Sequence, residues 1–258
     1  FRTAFIAVLA MAALVMAYSC LTIIQTMYWK EPIAFYERTL KYNPDSPRLN
    51  NNLGLLYDDE VEYEKAVQLY KKAFQIDPNF INAYFNLAKT YDAMGMQQEA
   101  VKLLGKTIEI NPLYPHTYNE LGLIYSRGDQ NEKAIKFFKR AIEIKPNYAR
   151  AYINLGMTYN KIGKKDEAIK LYEMAIKLNP YIGEAYYNLG NLYFKYGETE
   201  KAKQLYWKAV ELNEKDADAY NNLGVIYRKC GDMKESIKLL NKAIEARSDY
   251  ALAYYNLS

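Results

Sequence analysis

The sequence predicts an all-α solenoid of 34-residue helix-turn-helix repeats preceded by one hydrophobic helix, and three observations carry that prediction. Proline recurs at Pro44, Pro78, Pro112, Pro146 and Pro180, a spacing of 34 residues that Glu214 and Ser248 continue. Within each period a leucine and a small residue are flanked by aromatic side chains at helical spacing. From Thr3 to Trp29 no residue is charged. Self-similarity at such a period marks stacked supersecondary units, each burying its apolar face only against its neighbours.

The hydrophobic head comes first in the chain. Its 27 residues from Thr3 to Trp29 would make a helix of roughly 40 Å, longer than the ~30 Å hydrocarbon layer of a bilayer. Tyr28 and Trp29 close it and Lys30 and Glu31 follow, the order expected at a membrane interface. A soluble core helix of this length would carry a polar stripe, and none is present. We therefore expect a transmembrane helix over 1–29, with membrane contact through residues 3–29. Lys30, Arg38, Lys41 and Arg48 on the downstream flank point that side to the cytoplasm, but upstream only Arg2 stands for comparison. Phe1 is not a start methionine and Ser258 falls within a repeat, so the chain reads as a piece of a longer protein.

In the first half of each repeat, leucine (Leu53, Leu87, Leu121, Leu155, Leu189, Leu223) precedes a small residue (Gly54, Ala88, Gly122, Gly156, Gly190, Gly224). Tyrosine stands three residues after the small one at Tyr57, Tyr91, Tyr125, Tyr159, Tyr193 and Tyr227, and from Tyr84 onward three before the leucine. Spacings of 3, 1 and 3 gather on one helical face. The second half carries a small residue (Ala66 to Ser236), a large apolar one four later (Tyr70, Leu104, Phe138, Tyr172, Tyr206, Leu240) and another small one three beyond. Small against large lets two antiparallel helices approach closely, and the proline five residues on ends the second helix. The units are 47–80, 81–114, 115–148, 149–182, 183–216 and 217–250, with a truncated seventh over 251–258 and a half-repeat, second helix only, over 30–46. The first unit departs most: Asn50 replaces an aromatic and Val61 the inter-helix glycine of Gly95, Gly163, Gly197 and Gly231, while in the third Gly128 is displaced by one.

Composition narrows the function. Lys plus Arg number 34 against 30 Asp plus Glu, a net charge of +4 spread along helical faces rather than gathered in a basic stripe, so nucleic acid is not an expected partner. The lone His116, the distant Cys20 and Cys230, and the absence of CxxC or HExxH spacing give no metal site and no cofactor. Asp58 and Asp59, adjacent at a helix end, do not form a catalytic pair, and this fragment is not expected to be an enzyme.

The pattern YxxLGxxY, then AxxxYxxA, then P, resembles the tetratricopeptide repeat family over 47–258. The resemblance implies a right-handed α-α superhelical solenoid with a concave peptide-binding groove. One residue before each leucine stands Asn52, Asn86, Asn154, Asn188, Asn222 or Asn256, with Glu120 interrupting. These amides resemble the asparagine ladder of the O-linked N-acetylglucosamine transferase repeats, which implies capture of an extended peptide; the alternative is a bond to a neighbouring helix. Along the same groove, Asp58, Asp59 and Asp92 give way to Arg127, Lys161, Lys195, Arg228 and Lys229, which calls for a ligand acidic at one end. The family's carboxylate clamp needs a lysine, and its positions here hold Asn51, Phe85, Asn119, Ile153, Tyr187 and Asn221, so chaperone tails are disfavoured. The junction around LTIIQTMYWKEPIAFYERTLKYNP is similar to that of polytopic membrane glycosyltransferases with carboxyl-terminal repeat arrays, which implies an extracytoplasmic array. The expected function is a membrane-tethered scaffold binding a protein or extended peptide; the alternative is the substrate-presenting tail of such a glycosyltransferase.

Overall fold

The computed structural model describes residues 31–258 together with Met11 and Tyr18. The transmembrane helix expected over 1–29 thus lies outside the described residues. Among these, no helix is long and apolar enough to cross a membrane. The described chain is all-α, and it divides into two compact units, Phe1–Pro112 and Leu113–Ser258.

The first unit holds α1 (Pro32–Tyr42), α2 (Pro47–Asp59), α3 (Tyr63–Ile76), α4 (Ile81–Ala93) and α5 (Gln97–Ile110). The second holds α6 (Pro115–Arg127), α7 (Asn131–Ile144), α8 (Ala149–Lys161), α9 (Lys165–Leu178), α10 (Gly183–Lys195), α11 (Thr199–Leu212), α12 (Ala217–Lys229), α13 (Met233–Ala246) and α14 (Ala251–Leu257). From α2 on, even-numbered helices are the first of each pair and odd-numbered ones the second.

Close approach within each pair follows from residue size. A Cβ placed on Gly122 would stand 2.5 Å from the Phe138 ring, and one on Gly54, Gly156 or Gly190 would stand 2.7, 2.9 or 2.9 Å from Tyr70, Tyr172 or Tyr206. Those four rings are buried. They fill the space the missing side chain leaves. Ala66, Ala100, Ala134, Ala168 and Ala202 are fully buried at the start of the second helices.

Three departures in the sequence have structural answers. Asn50, in place of an aromatic, is buried and donates its amide to Pro44 O at 3.1 Å and Ser46 O at 2.9 Å, so it ties down the entry to α2. Between paired helices the chain turns through a left-handed residue: Gly95, Gly163, Gly197 and Gly231 at φ 78–84°, but Val61 at 64° and Asp129 at 57°. Gly128 is not the left-handed residue of its turn; its φ is −81°. Lastly, α11 and α13 end like their fellows although Glu214 and Ser248 replace proline: Asn213 and Arg247 are extended, with their amides on Ala209 O and Ala243 O. Proline is thus dispensable for the stop. The extended cap suffices.

Within each unit the first helices of successive pairs touch: α2 meets α4, α6 meets α8, α8 meets α10 and α12 meets α14. Second helices make no comparable contact with one another among the described residues, so the first helices form each unit's inner layer. At the start, α1 lies on α2, where the Tyr57 hydroxyl donates to Glu37 at 2.6 Å and is pushed up to about 12 by that bond.

A β-branched residue in the left-handed region costs roughly 1–2 kcal/mol. Val61→Gly should therefore raise the urea midpoint, by about 1 kcal/mol of stability once glycine's flexibility in the unfolded chain is set against the relief. Gly122→Ala should lower it. Alanine gains about 1 kcal/mol of helix propensity, but overpacking against a buried ring costs about 1–3 kcal/mol. An unchanged or higher midpoint for Gly122→Ala would show that the pair tolerates wider spacing.

Candidate functional site

The asparagines one residue before each leucine lie where successive first helices meet, and most of them bond across that junction. In the first unit, Asn86 Nδ2 donates to Asn51 Oδ1 at 2.9 Å. In the second, Asn154 Nδ2 donates to Asn119 Oδ1 and Asn256 Nδ2 to Asn221 Oδ1, both at 2.8 Å. Each bond spans 35 residues, one repeat plus one. The position before the ladder, which the clamp comparison found without lysine, thus supplies the acceptor.

Two other ladder residues use different partners. Asn222 Nδ2 donates to Asn191 Oδ1 at 3.0 Å, and the same oxygen accepts from the Tyr206 hydroxyl at 2.7 Å. Asn52 Nδ2 reaches Tyr36 Oη at 3.4 Å. Asn188 differs. Its counterpart in the preceding repeat is Ile153, a fully buried apolar residue, and Asn188 has no hydrogen bond among the described residues.

A second set of links spans 32 residues. Thr90 Oγ1 donates to Asp58 Oδ1 at 2.7 Å, and Ser126 and Thr158 hydroxyls stand 3.5 Å apart. Asp58, placed by the sequence at the acidic end of the groove, is therefore also a joint between α2 and α4.

The cations of the second unit sit in the last turns of first helices, where the helix dipole favours positive charge. Lys161 Nζ pairs with Asp129 at 2.6 Å and donates to Ser126 O at 2.8 Å. Arg228 donates to Asn256 O at 2.9 Å. Lys195 and Lys229 form no ion pair among the described residues; Lys229 lies over the Phe194 ring at 4.8 Å from its centroid, and Lys195 lies 5.7 Å from that of Tyr196. In the first unit, the corresponding helix ends carry Asp58, Asp59 and Asp92. The acceptors Asn51, Asn119, Asn191 and Asn221 were missed by sequence reasoning. Their signal was the doublets Asn51–Asn52 and Asn221–Asn222, offset by 35 from the next asparagine.

His116, the second residue of α6, packs edgewise on Tyr114 and Tyr148, with Nδ1 at 2.9 Å from the Tyr148 hydroxyl. Burial, and secondarily the Lys145 charge, hold its imidazole below the usual range. The neutral form is thus favoured by folding.

Models described as tetratricopeptide repeat match residues 81–112, 115–180, 183–216 and 217–250, and one described as TPR repeat matches 62–95. Among solved structures, MamA is 31% identical over 64% of this chain and 97% of its own, with a TM-score of 0.53. A chain of the APC/C hetero-tetramer Cut9-Hcn1 is 16% identical, with a TM-score of 0.74 over 88% of this chain; the present chain spans 45% of that one. YrrB, described as a TPR protein with an unusual peptide-binding site, is 22% identical over 72% of this chain and 96% of its own, with a TM-score of 0.51. No curated protein matches the chain.

Asn154→Ala would leave Asn119 Oδ1 buried without its donor, and should cost about 1–3 kcal/mol in urea unfolding. Asn188→Ala, which removes no bond, should stay within about 0.5 kcal/mol of wild type. For His116 the sign follows from its lowered value: the stabilisation is fully present above the ordinary imidazole pKa of about 6.5 and is lost as pH falls through it. Between pH 7.5 and 5.5 the wild type should lose more melting temperature than His116→Gln. Equal losses would exclude the imidazole as the cause.

Proposed function

The chain belongs to the tetratricopeptide repeat family, and on that premise we propose that it is a membrane-tethered scaffold binding a protein partner, through an extended peptide segment, on the first-helix face of its second unit. The carrying observation is that Lys161, Lys195 and Lys229 end successive first helices α8, α10 and α12, with two of the three lacking a carboxylate partner among the described residues. Repeated cations at one register attract an acidic strand laid across the helices. Asn188, Asn222 and Arg228 flank that row, while Asn52 and Asn86 hold the equivalent place in the first unit. YrrB, a relative in fold, is described as having a peptide-binding site, which supports the choice of a peptide over a small molecule. Residues 3–29, uncharged and long enough to span, are the proposed tether.

The test uses the full chain in detergent micelles and peptides selected from a displayed random 12-residue library. Binding should weaken as salt rises, because exposed charges are screened within a Debye length of about 10 Å at 0.1 M. Reversing Lys161, Lys195 and Lys229 together to glutamate should lower affinity by about tenfold or more at low salt. Unchanged affinity in that variant would sink the reading.

A further inference from the structure

We propose that the peptide is gripped at one place, the junction of α8 and α10, and that Asn188 supplies the main-chain contact and Lys195 the acid-specific one. This inference rests on the peptide-binding reading above and adds where the grip lies. In the second unit, α6 and α8 are joined by Asn154–Asn119 and Ser126–Thr158, α10 and α12 by Asn222–Asn191, and α12 and α14 by Asn256–Asn221 and Arg228–Asn256 O. Between α8 and α10 both types of link fail. At the 35-residue offset Asn188 meets Ile153, and at the 32-residue offset Asn160 meets Leu192; both apolar partners are fully buried. Asn160 Oδ1 is left buried with no donor.

An asparagine whose amide joins two repeats offers a ligand little, since engaging it breaks an existing bond. Asn188 offers a donor and an acceptor together, the pair that matches one peptide unit of any sequence. Asn191 and Lys195 follow it at three and seven residues on the same helix, so they share its face. The stripe opens with Glu184 in the first turn, which gives a bound strand a direction. Seven residues of helix rise about 10 Å, which about three residues of extended chain cover. The expected ligand therefore carries Asp or Glu about three residues from the peptide unit held by Asn188. On α8, Met157, at the register that Asn191 holds on α10, is 45% exposed and offers apolar surface.

Peptides selected on the wild-type chain in micelles from the random 12-residue library are measured by fluorescence anisotropy against four proteins. Asn188→Ala and Lys195→Glu should each weaken binding by about fivefold or more, with the melting temperature unchanged in Asn188→Ala and slightly lower in Lys195→Glu, whose new charge opposes the helix dipole. Asn86→Ala should leave affinity within about twofold while lowering the melting temperature, since its amide serves the structure. The selected sequences should be enriched in Asp and Glu. If Asn86→Ala and Asn188→Ala weaken binding equally, the grip is spread along the ladder: the local site is overturned and the peptide scaffold stands. If the wild type selects nothing, the scaffold reading fails and the inference with it. A loss of binding in Asn188→Ala accompanied by a lower melting temperature would also overturn the local site, provided that Asn188→Gln, which keeps the amide, restores stability and binding together.

Discussion

Everything in this chain depends on how closely the two helices of a repeat approach each other. A glycine on the first helix faces a large buried ring on the second, with no room for even one added carbon at Gly122 against Phe138. Dispersion and burial act together there, since each ring is removed from water and surrounded on all sides. The pair then packs as one unit. Its remaining apolar surface has nowhere to go but the next pair, which is why the unit propagates instead of closing.

Close pairing fixes the rotation of the first helix, and that rotation decides which residues are left at the junction between repeats. With Leu53, Leu121, Leu155, Leu189 and Leu223 turned into the core, the residues just before them face the neighbouring first helix. Three of their asparagines find an acceptor there, the asparagine one position earlier in the preceding repeat. Each such bond is worth only about 1 kcal/mol, a small addition to the burial beneath it. Its importance lies elsewhere: a buried amide that missed its partner would cost more than the bond gains, so the bonds favour one sliding register of repeat on repeat.

The period, the paired helices and the small-against-large contact were legible because they depend on spacing within one chain segment. The asparagine ladder was legible as a row, with a bond to a neighbouring helix as one of its two readings, but the acceptors were not. The pair Asn154–Asn119 joins different positions of different repeats, and the 35-residue offset emerges only when two first helices are laid side by side. Val61 and Asp129 show a similar limit. Their left-handed turns follow from the neighbouring helices, which impose the geometry whether or not glycine is present. Proline gave a correct boundary for a reason only partly its own, since Asn213 and Arg247 stop their helices without one. The hydrophobic segment over 1–29 falls outside the described residues, so its reading stands on sequence alone.

A repeat array with identical junctions would have no preferred place for a ligand, because every amide would be equally engaged. Specificity then requires a junction whose structural bonds are missing. Ile153 and Leu192 provide one: each substitutes packing for a polar link, and burial of about 1.5–3 kcal/mol per large aliphatic side chain offsets the bond forgone. The junction is held by apolar contact, which leaves the Asn188 amide without a structural bond and Asn160 Oδ1 buried without a donor. Under the proposed grip at Asn188, stability and recognition would be divided among repeats of one design. The division needs only two changes of residue type on a face that is otherwise periodic.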